Sequence, residues 1–259
     1  MIKAELLEQL GNIKNDLSEL IAGVEKEASE DGRPSHSVFY MPFLDVHRIL
    51  NSPNGLKDIF KVGDQIVNQH SKYGPIAWDI IGLNVDQVEG GYYTLTLQMH
   101  DVLPGAFPYD EESEKYEYGH AHYPTCSLRK WLNEDFLKGF SLEDDIYWMK
   151  PVPKVTYTAN SEGAKPETTE DKLFLLSASE VGFTGNTIRD EGAAYEYYAG
   201  NPERRQKTEM GNAATARLWW LRSPNLSNAS NARSVNTSGA QDNYGAYSGY
   251  GAAAACVIC

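Results

Sequence analysis

The segment that most limits what this chain can fold into is residues 218–259, which has apolar ends and no hydrophobic period between them. It starts with WWLR at residues 219–222, ends with CVI at residues 256–258, and is dominated in between by Asn, Ser, Gly, Ala and Tyr. A packed strand or helix would show a period, whereas a disordered tail would be poor in aromatics and rich in charge. The mixture is typical of binding surfaces, where Tyr gives stiff contacts and Ser, Gly and Asn give adaptable hydrogen bonds. The alternative is a long glycine-rich loop that closes a β-rich domain.

Composition narrows the classes of partner. The chain has 259 residues, 41% of them hydrophobic, which suffices for one sizeable core with an appendage or for two small domains. A formal net charge of -13 argues against a nucleic-acid partner, because phosphate contacts need clustered Lys and Arg. No apolar run approaches the roughly 20 residues that span a bilayer, and no basic stretch precedes an apolar one at the N-terminus. We therefore expect no membrane insertion, no signal peptide and synthesis in the cytoplasm.

The N-terminal segment, residues 1–31, has the pattern of an amphipathic helix. Its apolar residues alternate four and three apart, which is the seam of a coiled coil, and polar residues fill the gaps. We predict a helix that forms a homo-oligomer, the alternative being a helix that lies on its own domain. The seam consists of Leu6, Leu10, Ile13, Leu17, Leu20 and Val24.

The remaining domain, residues 32–259, mixes short strand and helix patterns and is predicted to be α+β. Helices are expected around Phe39 to Leu50 and after the N-cap candidates Ser127 and Ser141. Polar residues 157–171 indicate a surface excursion, and residues 185–211 are irregular. Strands are predicted at residues 62–67, 75–82 and 92–99, which would form a β-meander, and at residues 172–177, 219–220 and 257–258.

Two groups of residues could bind a metal or carry redox chemistry. The three cysteines, Cys126, Cys256 and Cys259, are too few and too unevenly spaced for a disulfide framework, so core positions are favoured over a metal or redox site. His120 and His122 would share one face if they lay on a strand, next to an acidic loop at residues 110–118; the alternative is two loop histidines. No nucleophile, phosphate-binding or metalloprotease motif is present in the sequence. We therefore predict no enzymatic activity and no cofactor.

Arg222 lies among Trp219, Trp220 and Leu221, where its side chain should be buried. A buried guanidinium needs a carboxylate or carbonyl partners. We expect Arg222 and the indoles to attach the start of residues 225–251, called the tail below, to the core. This is an architectural role.

Three segments in a fixed order carry a resemblance to a known family: SLRKWLN at residues 127–133, KLFLLS at residues 172–177 with Glu180, and WWLRSP at residues 219–224. Together they resemble a bacterial and phage family of C-type-lectin-like domains. The resemblance implies a C-type-lectin-like (formylglycine-generating-enzyme-like) fold over residues 32–259. The tail is similar to the variable region of proteins diversified by retroelements, in which mutated adenines convert Asn codons to Ser, Asp, Gly, Ala or Tyr codons. This implies a ligand- or receptor-binding protein, with a virion-associated location as one hypothesis.

The sequence departs from the family in two respects. Related chains often end in Gly-Val-Arg-Pro-Ala, where this chain has GAAAA at residues 251–255. The EPN, QPD and WND motifs of animal lectins are absent, so calcium-mediated sugar binding is not implied. An oxidase of the sulfatase-activating type shares the fold, and a structural virion protein is a further alternative; the oxidase's cysteine arrangement does not map onto the three cysteines here.

The resemblance implies that the variable region, residues 225–251, meets a protein or a cell-surface ligand. Arg233, Val235 and Gly239 would keep the shape of the segment. The side chains expected to point outward and bind the ligand are Ser227, Asn228, Ser230, Asn231, Asp242, Asn243, Tyr244, Tyr247, Ser248 and Tyr250.

Overall fold

The computed structural model describes residues 36–52, 56–160 and 163–259. The helix predicted over residues 1–31, and any coiled coil that it forms, lies outside the described residues. The chain divides into two compact units, Met1–Val38 and Phe39–Cys259, and the sites below belong to the second. No helix in the described part of the chain is long and apolar enough to cross a membrane.

Short strands joined by turns make up most of the second unit. The α-helices are α1 (Phe43–Leu50) and α2 (Ser127–Trp131), with single 3-10 turns at Leu56–Ile59, Tyr123–Thr125, Leu137–Gly139 and Pro202–Arg205 and π turns at Leu132–Phe136 and Leu142–Ile146. The strands are β1 (Val38–Tyr40), β2 (Gln65–His70), β3 (Gly74–Leu83), β4 (Leu95–Met99), β5 (Phe107–Pro108), β6 (Met149–Lys150), β7 (Val152–Tyr157), β8 (Pro166–Asp171), β9 (Lys207–Glu209), β10 (Asn212–Arg217), β11 (Trp219–Pro224), β12 (Asn231–Val235), β13 (Gln241–Gly245), β14 (Gly249–Tyr250) and β15 (Ala255–Ile258).

The largest sheet has six strands in the order β1-β2-β3-β4-β15-β6. The antiparallel pairs β2·β3 and β3·β4 confirm the predicted β-meander. Strand β15 pairs antiparallel with both β4 and β6, so the last strand of the chain lies inside the sheet and is fully buried. The β-rich α+β class predicted from the sequence is confirmed.

Residues 225–251 do not form the long glycine-rich loop that was the alternative interpretation of their composition. Strands β12 and β13 form a hairpin that continues from β11 as a three-stranded sheet, and β14 pairs with β5. Backbone groups beside the buried β11 must be hydrogen-bonded, and strand pairing satisfies them whatever the side chains are. A hydrophobic period is therefore not needed for this segment to be ordered.

Several predicted boundaries were wrong for local reasons. Strand β2 begins at Gln65 because residues 61–64 form a turn, in which Asp64 Oδ2 accepts from the Lys61 amide at 2.8 Å. Phe39 belongs to β1 rather than to the helix that follows. Residues 166–171, expected in a surface excursion, form β8 and pair with β7.

Two further local predictions also need correction. Cys126, not Ser127, caps α2, since its sulfur accepts from the Arg129 amide at 3.5 Å, while Ser127 Oγ accepts from Glu111. Residues 172–177 were predicted to be a strand but make only one isolated bridge, between Phe174 and Ala255. Ser141 does cap the turn after it, as expected.

Candidate functional site

The tail is held to the core at both ends. Trp219 and Trp220 are 0% exposed, and their indole N–H groups donate to the carbonyls of Arg205 at 3.0 Å and Phe107 at 2.8 Å. At the other end, Val257 and Ile258 pair with neighbours on both sides within the large sheet. Both strands that were predicted to bound the tail are therefore present.

Arg222 has the carboxylate and carbonyl partners that its predicted burial required. The guanidinium is 0% exposed and is paired with Glu180. Its remaining N–H groups donate to the backbone carbonyls of Val155 at 2.9 Å, Leu175 at 3.0 Å and Glu191 at 2.6 Å. One side chain thus joins four segments of the chain directly beneath the tail.

Glu180 links Arg222 to a second buried cation, Lys154, whose ammonium lies 3.2 Å from Glu180 Oε1. Burial alone would raise the pKa of Glu180, but the charges of Arg222 and Lys154 outweigh it and lower that pKa to about 2. Lys154 also donates to Asp86 at 2.6 Å and to the Tyr195 hydroxyl at 2.7 Å. Lys154, Glu180, Asp86 and Tyr195 line an open cavity of about 400 Å³.

Sequence analysis missed Lys154, Asp86 and Tyr195, which lie far apart in the chain and in no shared motif. Only Glu180 carried a signal, through its place after the KLFLLS segment. The ammonium of Lys154 donates to three side chains of its own chain, those of Asp86, Glu180 and Tyr195.

The hairpin presents two faces with different side chains. Antiparallel register sets Ala232 opposite Tyr244 and Ser234 opposite Asp242, so these side chains share one face. The charge of Asp242 raises the pKa of Tyr244, whose hydroxyl donates to Asp242 Oδ2 at 3.2 Å. Tyr244, on this face, contacts the ring of Tyr250.

Two asparagines named as candidate ligand-binding residues are connected to each other on the opposite face. Asn231 donates to Asn243 Oδ1 at 3.0 Å, and Asn225 donates to the same oxygen at 2.8 Å. Asn225, which the sequence analysis did not single out, therefore belongs to this polar cluster. Arg233 is buried and donates to the Thr187 carbonyl at 2.6 Å, consistent with a role in shape.

Most of the predicted ligand-binding side chains lie at the periphery of the domain, and the aromatic ones differ in how far they pack. The ring of Tyr250 lies 5.1 Å from that of Trp220 and 4.9 Å from that of Tyr244, measured between centroids, so both tyrosines are half-buried. Tyr247 is 44% exposed. Ser227, Asn228 and Tyr247 are exposed, whereas Ser230, Asn231, Asp242, Asn243, Tyr244, Ser248 and Tyr250 are half-buried.

The acidic loop, residues 110–118, lies directly against the tail. The Asp110 amide donates to the Ala246 carbonyl at 3.0 Å, and the Tyr247 amide donates to the Tyr118 carbonyl at 3.3 Å. Gly119 has φ +65°, and a Cβ there would lie 2.6 Å from the Asp110 carbonyl oxygen and 3.1 Å from the Tyr247 nitrogen. A glycine is therefore required for this close approach.

His120 and His122 lie in an irregular segment rather than on a strand. Their ring centroids are 5.7 Å apart, but His122 Nε2 is 2.7 Å from Glu167 Oε2 and its Nδ1 is 2.8 Å from Thr125 Oγ1. Partial burial, with a contribution from His122, lowers the pKa of His120. Among the described residues, no group of three His, Cys, Asp or Glu side chains could hold a metal ion. The arrangement is that of two loop histidines.

The three cysteines are buried thiols. Burial raises the pKa of Cys126 to about 12, and it also raises the pKa of Cys256 and of Cys259. A thiol with a raised pKa is a weak nucleophile at neutral pH, because the thiolate is the reactive form. These positions favour packing.

The architecture defines a β-rich α+β protein in which a polar hairpin is fixed to a charged, buried framework. The chain belongs to the family described as domain of unknown function DUF6273, whose sequence profile matches residues 93–258. That match includes strands β4 to β15, Arg222 with its partner Glu180, and residues 225–251. No curated protein and no solved structure matches the chain.

Proposed function

We propose that this chain is a ligand-binding protein with a C-type-lectin-like scaffold and a diversified surface formed by residues 225–251. Its partner is a protein or a cell-surface ligand. The chain acts as a phage receptor-binding component or as the bacterial target protein of a retroelement. The resemblance of the three ordered segments supports the scaffold, and the restricted composition of the tail supports diversification.

One observation carries the proposal: none of the ten candidate side chains is fully buried, although four of them lie on the β12–β13 hairpin that continues from the buried strand β11. Exposed substitutions usually change the free energy of unfolding by no more than about 0.5 kcal/mol, whereas buried ones often cost several times more. A surface can vary between copies of a protein only where folding tolerates it. Backbone pairing and the buried Trp219 and Trp220 supply that tolerance here.

The positions of the tail differ in how well they should tolerate substitution. Ser227, Asn228 and Tyr247 are exposed and carry the least structural constraint. Tyr244 and Tyr250 pack partly against the core, so aromatic or large apolar replacements are favoured there. A contact of ordinary size would cover roughly 800 Å² on each partner, with tyrosines carrying much of the affinity.

A library experiment tests the proposal. All ten candidate positions are randomised together, displayed on cells, and scored by protease resistance for the fraction of variants that fold. We expect a fraction within about twofold of a control library at exposed scaffold positions, because neither set includes a fully buried residue. A tail library that is mostly unfolded would contradict the proposal. The control positions are Gln87, Glu89, Thr125, Lys130, Glu134, Lys138, Glu143, Thr168, Glu170 and Glu196.

The same two libraries test binding. Each is panned against a single folded probe protein, such as a lysozyme. We expect the tail library to give binders and the control positions to give none, since the tail positions are clustered within residues 227–250 and the control positions are scattered between residues 87 and 196. Binders from both libraries at equal frequency would argue against a dedicated binding face.

Resequencing the gene across a population tests diversification itself. Changes confined to adenine positions in the codons of residues 226–250 are expected. Changes spread evenly over the scaffold would contradict a retroelement mechanism and leave a fixed binding surface as the simpler account.

A further inference from the structure

The exposed aromatic surface of this protein continues beyond the tail. Tyr118 of the acidic loop is 52% exposed and Tyr247 of the tail is 44% exposed, and their ring centroids lie 5.6 Å apart. The backbone hydrogen bond between the same two residues fixes this pairing. Large aromatic side chains held on the surface are typical of recognition sites, because they bury much area at little entropic cost.

Charge around the tyrosine pair is strongly one-sided. The acidic loop contains five carboxylates, those of Asp110 and four glutamates, against the single Lys115. The four glutamates are exposed, whereas residues 225–251 contain only Arg233 and Asp242 as charged residues. The negative charge at this end of the surface thus comes from the loop and not from the tail. The glutamates are Glu111, Glu112, Glu114 and Glu117.

We propose that Tyr118 and the acidic loop form a fixed part of the recognition surface, which Tyr247 of the tail joins in this sequence, and that together they select partners with a segment rich in Lys and Arg. This inference rests on the proposed function, because it assigns the chemistry of the partner that the tail meets. The loop supplies a constant preference for positive charge, while the tail supplies the variable contacts.

The ring faces explain why cations suit this surface. Lysine ammonium and arginine guanidinium groups bind over tyrosine rings, and flanking carboxylates add to the attraction. Lys115 already shows the contact within the loop, where its Nζ lies 4.8 Å from the ring centroid of Tyr116. The charge of Glu117 raises the pKa of Tyr118, which reflects the negative field at that ring.

A basic protein segment fits better than a bound metal ion. Among the residues that the structure describes, no three His, Cys, Asp or Glu side chains converge as metal ligands, so the carboxylates of the loop are spread rather than focused. Carboxylates distributed along a loop are complementary to Lys and Arg side chains distributed along a peptide. Complementary charge of this kind mainly accelerates association.

The test uses the full chain and a displayed library of random peptides as the probe. Peptides selected on the natural sequence should be enriched in Lys and Arg. Their binding should weaken roughly tenfold with Tyr118→Ala or Tyr247→Ala, as expected when a central aromatic contact is lost. It should also weaken roughly tenfold or more, mainly through slower association, when all four loop glutamates become glutamine.

A matched charge variant separates recognition from general attraction to an acidic protein. The variant E89Q/E134Q/E143Q/E196Q removes the same number of exposed charges elsewhere and should bind the peptides as the natural sequence does. Equal loss in both variants would overturn the inference, as would selection of neutral or acidic peptides or of none. Thermal melting of each variant confirms that it is folded.

A third variant, S227A/N228A/S248A, distinguishes the two proposals. Peptides that depend on the tail but not on the loop glutamates would sustain the proposed function and overturn this inference. Basic peptides that depend on the loop but not on the tail would sustain the loop's preference and contradict the tail as the binding face.

Discussion

The guanidinium of Arg222, on the strand from which the tail departs, is paired with the carboxylate of Glu180, and the two side chains are 0% and 4% exposed. Charges at such depth are stable only when each has its partners, and here the carbonyls of three further residues complete the set around Arg222. The pair therefore connects the stability of the scaffold to the position of the tail.

Replacing Glu180 with glutamine should destabilise the domain severely. The substitution preserves shape but leaves the Arg222 charge buried without a carboxylate, and loss of one partner of a buried pair costs about 3–5 kcal/mol. Urea unfolding followed by tryptophan fluorescence measures the change. Asp45→Asn, which breaks the exposed pair with Arg48, is the control and should cost less than about 1 kcal/mol. Similar losses in both variants would contradict the role assigned to the buried pair.

The stabilisation by Glu180 should disappear in acid. Its folded-state pKa of about 2 lies below the usual 4.5, so its contribution is fully present above pH 4.5 and is lost as the pH falls toward 2. The difference in unfolding free energy between the natural sequence and Glu180→Gln should therefore shrink over that range. Burial raises the pKa of Glu191 and gives it the opposite trend, but Glu191 is present in both proteins. A difference that stays constant between pH 7 and pH 2.5 would show that folding does not lower the pKa of Glu180, and one that grows as the pH falls would show that the carboxyl is protonated in the fold.

Two buried serines on adjacent strands should respond in opposite ways to removal of their hydroxyls. Ser234 Oγ is buried with no hydrogen-bond partner among the described residues, so Ser234→Ala should be neutral or stabilising by up to about 1 kcal/mol. Ser223 Oγ accepts from the Ala178 amide at 2.8 Å and donates to Glu191, so Ser223→Ala should cost about 1–3 kcal/mol. Calorimetric melting of the two variants compares them. Equal destabilisation would indicate that Ser234 has a partner after all.

The tyrosines of the tail should differ in what they contribute to folding. Tyr247→Ala should alter the free energy of unfolding by no more than about 0.5 kcal/mol, because the side chain is 44% exposed and lies outside the hydrophobic core. Tyr250→Ala removes the edge contact with Trp220 and should cost about 1 kcal/mol or more. Chemical denaturation of the paired variants provides the measurement. The reverse order would mean that Tyr247, not Tyr250, anchors the tail.

Deleting the residues before Ser35 should lower the oligomeric state and leave the domain folded. The heptad seam of residues 1–31 predicts association through that segment, which would raise the avidity for a multivalent ligand by about 10²–10⁴. Light scattering after size exclusion gives the molar mass, and circular dichroism checks the fold. A full-length chain that is already monomeric would contradict the prediction.

The sequence was most informative where burial requires a pattern of apolar residues or requires a charged side chain to have a hydrogen-bond acceptor. The mainly apolar run at residues 75–82 predicted β3 closely, and the apolar ends of the tail predicted β11 and β15. A guanidinium surrounded by indoles indicated that Arg222 would be buried with an acceptor. In each case the constraint is local, so it is visible in neighbouring residues.

Long-range pairings were not visible in the same way. Lys154 meets Asp86 across 68 positions of the chain, and nothing in either neighbourhood specifies the other. The hairpin of the tail was missed because its strands depend on backbone pairing beside β11 and not on alternating apolar side chains. The contact of Tyr118 with Tyr247 depends on Gly119, whose role appears only when the two backbones are brought together.

Strand β15 follows the tail in the chain yet lies between β4 and β6 in the large sheet. Any premature stop or shifted reading frame within residues 225–251 removes this strand and leaves two interior edges of the sheet unpaired. Such a product cannot complete its core and exposes surfaces that proteases and chaperones recognise. Because β15 is translated after the tail, we expect only copies with an intact reading frame through the tail to complete the sheet and fold.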